Sequence, residues 1–157
     1  MWTRSFMKSF SEEKCSMSEL EAREWVEKAE TDYKAAIDLG RRRKDPLPEA
    51  VCFHCQQCAE KYLKAFLIWH GVPFPKVHDL IALKTLCAEK EGSFELIHDL
   101  LESLVGYDVA IRYPGEAATL EDAREAIAVV KQVRQFIRSR LEDLVQGRGR
   151  SEIGHPH

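Results

Sequence analysis

Apolar residues along this chain recur every three or four positions, and no stretch shows the strict alternation of a half-buried strand. The longest apolar run is Pro48 to Gly71, PEAVCFHCQQCAEKYLKAFLIWHG. Proline suits the first position of a helix and glycine the residue just past its end, so the run predicts one helix about 33 Å long. At 100° per residue, Val51, Cys52, Cys55, Cys58, Ala59, Tyr62, Leu63, Ala65, Phe66 and Trp69 share a broad arc, the expected core face. His54, Gln57, Glu60, Lys61 and Lys64 fall opposite, with Phe53, Leu67 and Ile68 among them. A helix with a full core face and three more large apolar groups behind it has a second contact to make.

The same period runs through the rest of the chain. Ser18 with Glu21 reads as a capping box opening a helix that ends at Gly40. Its inward residues are Ala22, Trp25, Val26, Ala29, Tyr33, Ala36 and Ile37, and its solvent side carries Glu21, Arg23, Glu24, Glu27, Lys28, Glu30 and Lys34. Pro73 and Pro75 fix an extended connector after Gly71. His78 or Asp79 starts a third helix with Leu80, Leu83, Leu86 and Cys87 inward, broken at Glu91-Gly92. Ser93 is expected to cap a fourth, with Leu96, Ile97, Leu100, Leu101, Leu104 and Val105 as its stripe. Residues 107–118 are irregular. Thr119, with Asp122 three residues on, caps a last helix whose single face runs from Leu120 through Val130 and Ile137 to Val145. The expectation is an all-α, up-and-down bundle of four or five helices over 18–146, between a flexible segment 1–17 and a flexible tail 147–157.

Composition narrows the class. The 157 residues are 45% hydrophobic and 31% charged, as in a folded soluble domain, with a formal net charge of −3. A nucleic-acid or membrane site must then be a local patch. Lys61 and Lys64 interrupt the longest apolar run, so no membrane span is expected. The N-terminal stretch lacks the apolar core of a secretory signal, and five cysteines make an odd count, so free thiols and a cytoplasmic setting are expected.

Few residues suggest chemistry. Cys52, Cys55 and Cys58 have the spacing of an iron–sulfur run, but they sit in the middle of a helix core face, where cysteine packs as a small hydrophobe. The histidines have no partner at metal spacing, and neither a phosphate-binding glycine loop nor a nucleophile elbow is present, so no metal and no cofactor is expected. Arg41-Arg42-Arg43-Lys44 could touch phosphate or simply be a solvated loop. Arg112-Tyr113-Pro114-Gly115 reads either as a turn or as a ligand site, the guanidinium suited to phosphate and the phenol to stacking on a base.

FHCQQCAEKYLKAFL at 53–67, the Gly71 stop, PKVHDL at 75–80 and AIRYPGE at 110–116 together resemble the HEPN domain (higher eukaryotes and prokaryotes nucleotide-binding) over roughly residues 20–145. Cys58 stands where that family usually has alanine. The resemblance implies a helical bundle, commonly a homodimer, often paired with a minimal nucleotidyltransferase as a toxin–antitoxin system. It also implies, for many members, a ribonuclease with an Arg-x4–6-His motif. Here no such motif falls in the expected bundle; Arg150 to His155 matches the spacing only in the glycine-rich tail.

Two functions follow. The first is a dimeric binding and assembly module, with Phe53, Leu67 and Ile68 as its contact and a nucleotide or RNA near Lys61, His78, Arg112 and Tyr113. The second is a metal-independent ribonuclease in which Arg112 stabilises the phosphorane and His54 or His78 is the base.

Overall fold

The computed structural model describes residues 4–108 and 113–145, with side chains from Met17 onward except at Asp143. The helices are α1 (Arg4–Gly40), α2 (Pro48–Trp69), α3 (Leu80–Lys90), α4 (His98–Glu102), α5 (Leu120–Arg140) and α6 (Glu142–Val145), with a 3₁₀ helix at Gly92–Ile97. Among the described residues there is no strand. The all-α bundle is the expected fold. The tail at 147–157 and the first three residues lie outside the described residues.

Helix α2 is the centre, packed against α1, α3 and α5. Pro48 occupies its first turn. Its end is a Schellman turn: Gly71 has φ 67°, and the Val72 amide donates to the Leu67 carbonyl at 2.8 Å. Every residue of the expected core arc, from Val51 to Trp69, is buried. The seven-residue loop 41–47 turns the chain back, and the contacts of Glu30 with Tyr62 and Asp32 with His54 fit an antiparallel α1–α2 hairpin. Helix α5 crosses the same centre, joined to α1 by Arg134 on Glu30 and to α2 by Arg138 on Tyr62.

Several expected details change. Helix α1 already runs from Arg4 and passes Ser18 without a break. No glycine or proline interrupts 4–39, so the Ser18 capping pattern lies inside a continuing helix rather than at its start. The fourth helix begins as 3₁₀. At three residues per turn the inward stripe becomes Phe94 and Ile97, continued by Leu101 and Leu104, while Leu96 is 78% exposed and Val105 52%. The last helix breaks at Leu141, and Leu120 at its start is exposed rather than inward.

Leu67, one of the three apolar groups expected to meet a partner, is fully enclosed within the chain. Because α2 is central, its second side is covered too: Val72 folds back over its end, and Phe53 and Ile68 are only half-buried.

Candidate functional site

The polar side of α2 is not solvated. Glu60 and Lys64, one turn apart, form a buried pair with Nζ 2.9 Å from Oε2. The Lys64 ammonium also lies 5.3 Å from the Trp25 ring centre and 5.8 Å from that of Phe74, so aromatic faces complete its shell. A charge this deep persists because each group is the other's counterion and both make further contacts.

Onto this pair the connector lays His78. The prolines hold residues 72–77 outside any helix, and Val77 closes a tight turn onto the Pro75 carbonyl. Asp79 then caps α3, its carboxylate accepting from the amides of Ile81 and Ala82. The residue just before that cap is His78, with Nδ1 3.1 Å from both Glu60 oxygens. Gln56 Nε2 donates to the His78 carbonyl at 3.4 Å. Two thirds of the His78 side chain, 67%, stays exposed, and its Nε2 has no partner among the described residues. The imidazole therefore stands on the rim of an open pocket of about 380 Å³, whose wall includes Gln56, Asp79, Gly106 and Asp108. Bonding Nδ1–H to a buried carboxylate leaves Nε2 as the nitrogen able to accept a proton or meet a ligand.

The other expected site residues separate. Lys61 does not join His78: its Nζ bonds Asp32 of α1, and His54 Nδ1 bonds the other oxygen of the same carboxylate at 2.8 Å. Residues 60 and 61 point about 100° apart on a helix, so one meets the connector and the other α1. Tyr113 opens a turn in which the Glu116 amide donates to its carbonyl at 3.0 Å, with Gly115 at φ 92°. Its ring is 76% exposed, so it does not pack on the core edge. Arg112 lies outside the described residues, four positions after Asp108 of the pocket wall.

Two other clusters are structural. Glu30, expected on the solvent side, accepts two bonds from Arg134 at 2.7 Å each and one from the Tyr62 hydroxyl, which in turn accepts from Arg138 at 3.0 Å. Burial alone would raise the Glu30 carboxyl, but the bonds from Arg134 and Tyr62 outweigh it and hold it below its ordinary range. Cys52, Cys55, Cys58 and Cys87 are free thiols with no exposed surface. Burial pushes Cys55 up to about 12, which keeps it a protonated core group. His98, Asp99 and Glu102 bring possible ligand atoms within 4.8 Å of one another, but both acids are exposed on one short helix.

Sequence reasoning missed Asp32 and the internal role of Glu60 and Lys64. One signal was present: Glu60 preceding Lys64 by four residues is the favoured order of a helical ion pair.

A family model described as the HEPN domain matches residues 22–140. A solved structure of an archaeal HEPN homologue is similar at a TM-score of 0.56 and 22% identity, covering 76% of this chain and 97% of that one; at this identity the likeness speaks to the fold. No curated protein matches the chain. No helix among the described residues is long and apolar enough to cross a membrane.

Proposed function

This chain belongs to the HEPN domain family, and from that membership and the geometry at His78 we propose a dimeric binding and assembly module that engages RNA. It works in the cytoplasm beside a minimal nucleotidyltransferase, in a toxin–antitoxin-type arrangement. The observation that carries the RNA reading is the His78 imidazole, anchored through Nδ1 on the buried Glu60–Lys64 pair and open to solvent on a pocket rim. The exposed Tyr113 ring offers a base a stacking surface, and Arg112 beside it in the chain supplies a guanidinium for phosphate. Lys61, held by Asp32, acts here through the fold rather than on the ligand.

The test is titration of the full chain with a short single-stranded RNA, alone and with a minimal nucleotidyltransferase from the same genome. His78→Ala and Tyr113→Ala should each weaken RNA binding several-fold with helicity unchanged. Binding that neither variant alters would reject this site, and failure to co-purify with the nucleotidyltransferase would reject the partnership.

A second reading is metal-independent ribonuclease chemistry. One observation favours His78 over His54 as its base: His78 keeps Nε2 at an open pocket, whereas His54 is the more covered, at 29%. It predicts cleavage that survives chelation and is lost in both His78→Ala and Arg112→Ala.

A further inference from the structure

The connector from α2 to α3 docks by some of its side chains and leaves the others in water. Val72, Phe74 and Val77 are half-buried against the core, while Pro73, Pro75, Lys76 and His78 are exposed. Two of its side chains reach the same buried pair. The Phe74 ring centre lies 5.8 Å from the Lys64 ammonium, and His78, four residues on, has Nδ1 3.1 Å from both oxygens of Glu60. Trp25 of α1 also lies against the ammonium, at 5.3 Å.

The groups that meet His78 directly hold it weakly. Its side chain is 67% exposed, so water competes for the bond to Glu60. Asp79 uses its carboxylate on the amides of Ile81 and Ala82, and the bond from Gln56 to the His78 carbonyl is long, at 3.4 Å. The orientation of the imidazole then depends on where the backbone behind it is held. Phe74 is the largest docked side chain of that connector. A cation against an aromatic face attracts it most where water is excluded, and the Lys64 side chain is only 8% exposed.

We propose that Phe74 is a positioning residue for His78. By closing over Lys64 it locks the connector on the Glu60–Lys64 pair, so that the imidazole keeps Nδ1–H on Glu60 and turns Nε2 to the pocket. The consequence for ligand affinity rests on the RNA reading; the orientation itself does not.

Long-range proton–nitrogen NMR of the full chain, which tells the two ring nitrogens apart, tests it at about pH 8, where an ordinary imidazole is neutral. His54 supplies an internal reference, because its Nδ1 bonds Asp32 at 2.8 Å from α2 itself, with no connector involved. Both imidazoles should carry the proton on Nδ1 in the unaltered chain. Phe74→Ala should move His78 toward the mixture of a free imidazole and leave His54 unchanged. It should also weaken binding of a short single-stranded RNA about threefold, the weight of one cation–π contact. Phe74→Tyr keeps the aromatic face and should restore both readouts; Phe74→Leu keeps the bulk alone and should not.

The proposal is overturned if His78 lacks the Nδ1 proton in the unaltered chain, keeps it in Phe74→Ala, or regains it fully with leucine. A change that His54 shares overturns it too, since that would be a general loosening of the fold. So does RNA binding that falls in His78→Ala but is indifferent to Phe74→Ala. Should the NMR result be as expected while the unaltered chain binds no RNA, the positioning role stands and the RNA reading fails.

Discussion

Glu60 and Lys64 hold each other inside the fold with 3% and 8% of their side chains exposed, and the carboxylate of that pair also fixes His78 on the surface. Stability and the candidate site thus meet in one carboxylate. Lys64→Met leaves Glu60 buried without its counterion and should destabilise by about 3 kcal/mol, the low end of the range for a broken buried pair, because His78 and Gln56 still donate. Adding Glu60→Gln removes the second charge and should recover part of the loss. Urea unfolding of the single and double variants measures this. Strictly additive losses would show that the two groups are not coupled.

The Glu30 brace predicts acid sensitivity. Its carboxyl lies lower in the folded chain than its ordinary value of 4.5, so the unfolded chain takes up the proton more readily. The stabilisation is therefore complete above 4.5 and is lost as pH falls through the folded value below it. Arg134→Met should cost about 1–3 kcal/mol at pH 7, typical of charge-assisted hydrogen bonds. It should also flatten the decline of stability below pH 4.5. Denaturation of both proteins across pH 2.5 to 7 checks this; an equal deficit at both ends would mean that Glu30 is not the titrating group.

Helix α2 was legible because its ends and its core face are written in local signals: Pro48, Gly71 and a 3.6-residue apolar period. Cys52, Cys55 and Cys58 were legible for the same reason, since each occupies a core position of that period. What could not be read was how many sides of α2 are covered. Periodicity reports one buried face, whereas α1, α3 and α5 surround this helix, so its polar residues are satisfied by partners distant in sequence. Asp32 contacts Lys61 across 29 positions, and Arg134 reaches Glu30 across 104. The 3₁₀ start of the fourth helix escaped for a different reason. Its stripe reads equally well at three or four residues per turn until packing selects Phe94 and Ile97 over Leu96.

The difference between Phe53 and Leu67 tests the proposed dimer. Phe53 is half-buried, its ring edge-on to His54 at 5.5 Å, and Ile68 is half-buried near the other end of α2. The two lie about 60° apart around the helix, so one partner surface can cover both. Leu67 has no exposed surface to offer. Lysine at Phe53 and Ile68 can extend its ammonium to water, so Phe53→Lys/Ile68→Lys should preserve helicity while removing up to about 1.5–3 kcal/mol of association per side chain. Leu67→Lys instead places an unpaired charge in the core and should unfold the chain. Sedimentation and circular dichroism on both variants separate the cases. A double variant that remains dimeric would exclude this face, whereas a folded, monomeric Leu67→Lys would show that Leu67 belongs to the interface after all.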